Sequence, residues 1–144
     1  MTDHSLLDVR AEPDEIDAEW MTAALEAAGV ARGATVTDVV LDGLIGTGQT
    51  GRNARFLLTW DDPDGRPTSV VGKFASADPN ARLAAFTNGT YLNEWAFYHH
   101  LAHTLHIRTP DCHVALYDGT VPAFVLIMED IAGASQGDQI EGLT

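Results

Sequence analysis

The segment Gly43-Leu44-Ile45-Gly46-Thr47-Gly48-Gln49-Thr50-Gly51-Arg52-Asn53-Ala54-Arg55-Phe56-Leu57-Leu58-Thr59-Trp60 decides the fold of this chain. Its centre, Gly46 to Gly51, matches G-x-G-x-x-G, and the residues after it select among the structures sharing that pattern. In a dinucleotide-binding βαβ unit the last glycine opens a helix. Here Phe56, Leu58 and Trp60 recur at every second position, the period of a half-buried strand. A P-loop requires Lys and then Ser or Thr after its last glycine, and this chain has Arg52 and Asn53. The remaining structure is a strand-loop-strand flap, in which glycines let the backbone approach phosphates and donate N–H groups with no Cβ in the way. An ordinary glycine-rich hairpin is the other reading that the loop alone leaves open.

Upstream, Thr35 to Leu41 is rich in β-branched residues and leads into the loop. Downstream, the turn signal Asp61-Asp62-Pro63-Asp64-Gly65-Arg66-Pro67 separates Asn53–Trp60 from a further apolar run, Ser69-Val70-Val71-Gly72-Lys73-Phe74-Ala75. That order implies three antiparallel strands. The polar linker Ser76 to Asn80 precedes a helical stretch whose main part is expected from Thr90 to Leu105, stopped by Pro110. Short strands at His113–Tyr117 and Ala123–Met128 flank the turn Asp118-Gly119. The expected fold class is therefore α+β: a five-stranded antiparallel sheet with a helix inserted after the third strand, preceded by an N-terminal helix. That first helix should run from Ala18 to Ala28, with Asp17 as its N-cap, Gly29 past its end, and Ile16 and Met21 as a hydrophobic staple. Residues up to Pro13 read as an acidic leader, giving a division into 1–34 and 35–144.

Composition sets the outer bounds. A chain of 144 residues with 45% hydrophobic content suits one domain, or one lobe of a larger enzyme. A formal charge of -13 with no basic patch repels nucleic acid and anionic lipid surfaces. A lone Cys112 excludes an internal disulfide framework and cysteine-rich zinc sites, and points to a reducing, cytoplasmic setting. The N-terminus carries acids where a signal peptide needs cations, and no apolar run approaches the ~20 residues that span a bilayer. A soluble protein with no nucleic-acid or membrane partner is expected.

Lys73 is the only lysine of the chain. An ammonium on a half-buried strand is costly unless an anion neutralises it, so the position asks for a carboxylate or a phosphate. On a continuous helix with about 100° per residue, Glu94 falls between Leu101 and Leu105 and points along the apolar stripe. Two inward charges of opposite sign suggest a Lys73–Glu94 ion pair, the other reading of Glu94 being a helix-edge carboxylate that reaches water. His99, His103 and His106 lie opposite Glu94 beside Trp95. With no acid or cysteine at matching spacing they read as a solvated or interface stripe, not a metal site.

Together these residues resemble the N-terminal lobe of the kinase-like phosphotransferases, the group of aminoglycoside and choline kinases and ecdysteroid-kinase-like enzymes. The resemblance rests on the flap Gly46 to Gly51, on Val71-Gly72-Lys73-Phe74, on Tyr91-Leu92-Asn93-Glu94 with Phe97-Tyr98, and on Leu126-Ile127-Met128-Glu129-Asp130-Ile131. It covers the chain from about Asp38 to the end. It implies that Gly46, Thr47, Gly48, Gln49, Thr50 and Gly51 cover the phosphates of ATP, that Lys73 holds the α- and β-phosphates, and that Glu94 orients Lys73. Glu129 to Ile131 would form a hinge whose main-chain groups read the adenine edge, although Glu129 and Asp130 also read as ordinary surface carboxylates. The reaction implied is transfer of the ATP γ-phosphoryl to a hydroxyl of a small metabolite or antibiotic. The sequence does not identify that acceptor. The departure from the family is also plain: no H-G-D-x-x-x-x-N occurs in the 144 residues. No catalytic residue is expected in this chain, and the Mg2+ ligands are expected in a missing second lobe. The lobe alone should be catalytically silent and bind nucleotide weakly. The alternative reading is a non-catalytic nucleotide- or protein-binding module of the same fold, and the third a plain structural domain.

Overall fold

The computed structural model describes residues 7–45 and 50–131. Gly46, Thr47, Gly48 and Gln49 of the flap lie outside the described residues. Strands β1 (Val36–Ile45), β2 (Gly51–Trp60), β3 (Ser69–Ala75), β4 (Cys112–Asp118) and β5 (Ala123–Glu129) pair antiparallel in the order β1-β2-β3-β5-β4. The α+β class with five antiparallel strands is thus observed. Each strand except β3 is longer than its sequence signal, because chain pairing continues past the residues whose side chains alternate. β5 lies between β3 and β4, and its run Ala123–Met128 is buried throughout, as expected of a strand covered on both faces.

Helix α1 (Ala18–Ala27) starts where the Asp17 carboxylate accepts a hydrogen bond from the Trp20 N–H at 2.7 Å, and Gly29 beyond its end has φ 76°. Ile16 and Met21 are both buried in the core beneath it. Trp20, Met21, Ala24 and Leu25 cover one face of the sheet, meeting Phe56, Phe74, Val125 and Ile127. The Gly72 position belongs to this face: a Cβ there would lie 2.8 Å from both the Phe56 and the Phe74 rings. Residues 7–16 lie against the domain. Leu7 and Val9 pack on the same core, and the Trp20 indole N–H donates to the Asp8 carbonyl at 2.9 Å.

The other face is covered over β3, β5 and β4 by α2 (Pro79–Thr87) and α3 (Thr90–Ala96), with Tyr91, Phe124, Leu126 and Met128 buried between. The helical stretch has its main part at Thr90–Thr104, close to the expected Thr90 to Leu105, and a separate short helix precedes it. Asp78 caps α2 with Pro79 at its first position, and Gly89, with φ 77°, breaks the chain before α3. After Ala96 the helix widens into a π turn, Phe97–Leu101, and ends in a 3-10 turn, Ala102–Thr104. The wider turn rotates the residues beyond it, so Leu101 and Leu105 are 54% and 42% exposed instead of continuing a buried stripe. Among the described residues no helix is long and apolar enough to cross a membrane.

Candidate functional site

Register brings the site together. Ile45, Asn53, Lys73 and Leu126 lie side by side across β1, β2, β3 and β5, so their side chains share the face that carries α3. At the start of β2, a Cβ on Gly51 would lie 3.0 Å from the Phe74 carbonyl oxygen and 3.5 Å from Lys73 Cε. The last glycine of the flap therefore lets backbone and lysine stem pass close together.

Lys73 Nζ lies 2.5 Å from Glu94 Oε1, the two side chains being 28% and 23% exposed. Glu94 reaches the sheet although it has no partner stripe in Leu101 and Leu105. Its orientation is set instead by Tyr91, one turn earlier on α3, which is buried and stacks on Phe124 with centroids 4.6 Å apart. The ammonium has three donors, and a single carboxylate oxygen leaves it able to hold a further anion. The Asn53 Oδ1, on the adjacent strand, is buried without a hydrogen-bond partner. The Tyr91 hydroxyl donates to the Thr50 carbonyl at 2.7 Å and accepts from the Ser76 N–H at 3.0 Å, tying the end of the flap to the end of β3.

The segment after β5 is held more firmly than a surface loop. Asp130 accepts from Arg55 Nε at 2.9 Å and from Ser69 Oγ at 2.8 Å, and the Arg55 hydrogen bond holds its carboxyl below the usual range. The Asp130 side chain is thus not a free surface carboxylate. The Glu129 carboxylate accepts from Arg108 Nη2 at 3.0 Å and from the Asp111 N–H at 3.3 Å, the latter being the main cause of its lowered pKa. The Glu129 N–H donates to the Asp111 carbonyl at 2.8 Å, which removes that amide from the groups a ligand could use. Ile131 is exposed at the edge of the described residues.

Elsewhere, Glu12 bridges Arg52 at 2.8 Å and Arg82 at 2.7 Å, and Arg52 Nε also donates to the Ala75 carbonyl at 2.8 Å. Burial raises the pKa of Glu12, but its hydrogen bonds and charge attraction to the two arginines outweigh that and lower it. Of the histidines, His99 stacks on Trp95 with centroids 4.9 Å apart. Among the described residues no group of three His, Cys, Asp or Glu side chains is placed to hold a metal ion.

The residues that sequence reading missed are partners, not singular charges. Asn53, the Asp130 anchor and the Glu12 bridge carry no period or spacing signal, and Tyr91 looks like any core aromatic. No family model matches the chain, and neither the curated proteins nor the solved structures contain a match to it.

Proposed function

We propose that this chain is the nucleotide-binding lobe of a kinase-like small-molecule phosphotransferase. The observation that carries the reading is the Lys73–Glu94 pair at 2.5 Å, set beside the last glycine of a G-x-G-x-x-G loop on an antiparallel sheet. In this reading the loop backbone donates to the phosphates of ATP, while Lys73, steered by Glu94, neutralises the α- and β-phosphate oxygens. Those oxygens supply the anion that Lys73 can hold beside Glu94, and a desolvated ammonium interacts with them more strongly than one in water. The residues from Glu129 to Ile131 border the adenine through their remaining main-chain groups. The γ-phosphoryl then moves to the hydroxyl of a small acceptor, with the hydroxyl proton taken by a base and ADP leaving. No residue of the described site is placed as that base.

The test is an ATP titration of the melting temperature. The protein should gain thermal stability with rising ATP, as any ligand bound only by the folded state requires. Lys73→Ala should fold and lose that gain, and Glu94→Gln should lose part of it. Equal ATP-induced shifts in the protein and in Lys73→Ala would refute the assignment of Lys73 as a phosphate ligand.

A further inference from the structure

Tyr91 stands three residues before Glu94 on α3 and is 1% exposed. Its ring is fixed by the stack on Phe124, a contact that phenylalanine would make equally well. The hydroxyl therefore serves something other than packing. It uses both of its capacities, donating to the Thr50 carbonyl at 2.7 Å and accepting from the Ser76 N–H at 3.0 Å. Thr50 immediately precedes Gly51, over which the Lys73 stem passes, and Ser76 comes directly after the Lys73 strand.

These contacts close a circuit. The flap end is joined to Tyr91, Tyr91 to Glu94 through one turn of helix, Glu94 to Lys73, and Lys73 to Gly51. Helix α3 begins after Gly89 with no side-chain cap, so no capping side chain fixes its first turn. Its pose rests on side chains that reach the sheet: Tyr91, Glu94, and Trp95, whose indole N–H donates to the Ala115 carbonyl at 3.1 Å.

We propose that Tyr91 is a positioning residue, whose hydroxyl fixes the end of the glycine loop relative to the Lys73–Glu94 pair so that one anion meets both loop backbone and ammonium. The inference rests on the nucleotide reading and adds to it a coupling between two parts of the site. ATP binding is to be followed through the amide resonances of Thr50 and Gly51 in the full chain, in Tyr91→Phe, in Glu94→Gln and in the double variant. Tyr91→Phe weakens ATP binding about five- to tenfold, as loss of one buried hydrogen-bonded anchor requires. In the Glu94→Gln background the same change costs less than about twofold, because the ammonium is there no longer tied to α3.

An equal loss in both backgrounds, or no loss in the otherwise unchanged protein, overturns the coupling. Hydrogen exchange of the Ser76 amide in the unaltered protein supplies a reading that needs no variant: saturating ATP slows it, and an unchanged rate counts against the tether. If the Thr50 and Gly51 resonances of the unaltered protein ignore ATP, the nucleotide reading falls and the tether falls with it. If ATP binds normally to Tyr91→Phe, the tether falls alone.

Discussion

Lys73 and Gly72 are neighbours with opposite faces and different reasons for their identity. Gly72 points into the α1 core, where the Phe56 and Phe74 rings leave no room for a methyl group. Gly72→Ala should therefore lower stability by about 1–3 kcal/mol through overpacking, read as a lower urea midpoint with an unchanged slope. Lys73 points to the α3 face, and its identity is legible in the sequence because it is the only lysine and sits in an apolar run. Tyr91 is not legible in the same way: an aromatic in an apolar segment gives no sign that its hydroxyl bridges two strand ends. Cys112 illustrates a third case. Burial pushes its thiol up to about 12, from 9.0, so at pH 8 it stays protonated. Alkylation of the folded protein at that pH should be on the order of a hundredfold slower than in denaturant. A comparable rate in both states would show that Cys112 is not shielded as the structure places it. Because this folded pKa is raised, its contribution to stability is complete below pH 9 and declines as pH rises toward 12.

Elements are where the sequence reading both succeeds and fails for identifiable reasons. The period-two strands and the capped α1 announce themselves because one face of each is buried and the other is not. The stretch after β3 is helical where expected, its main part starting at Thr90 directly after Gly89, which takes a left-handed φ of 77° between α2 and α3. The π turn at Phe97–Leu101 then displaces the pattern expected from a regular helix. Glu94 escapes the error because it lies before the π turn, on the three-residue spacing from Tyr91 that a regular helix keeps. Gly89→Ala should cost about 1 kcal/mol or more by forcing a side chain into that left-handed conformation. It should also loosen α3 more than α1, which hydrogen exchange of the two helices will separate. Equal effects on both would contradict a local role for Gly89.

At the scale of the whole molecule, charge and topology act together. The chain carries -13, yet ion pairs join its distant segments: Arg55 with Asp130 links β2 to the chain beyond β5, and Glu12 links residues 7–16 to β2 and α2. None of these pairings is visible in sequence, because nothing local links residues 55 and 130 or residues 12 and 82. The position of β5 between β3 and β4 is likewise not contained in the order of the strands, although the continuous apolar run Ala123–Met128 reports burial on both faces. Both carboxyls, Glu12 and Asp130, are held below their ordinary values of 4.5 and 3.8. Their stabilising contribution is therefore present above about pH 4.5 and lost as pH falls through the lowered folded values. Urea midpoints should drop from about pH 5 to about pH 2, and the drop should be shallower in Asp130→Asn. An identical pH profile in that variant would remove Asp130 from the explanation.

The same single lysine that organises the site also makes the central claim directly measurable. A protein grown with lysine labelled with carbon-13 at Cε gives one lysine signal, that of Lys73. The proposed function predicts that ATP shifts this signal saturably, that inorganic tripolyphosphate shifts it in the same direction, and that adenosine does not. A Lys73 signal unmoved by ATP at concentrations that shift the Thr50 and Gly51 amides would contradict the assignment of this lysine to a nucleotide's phosphates.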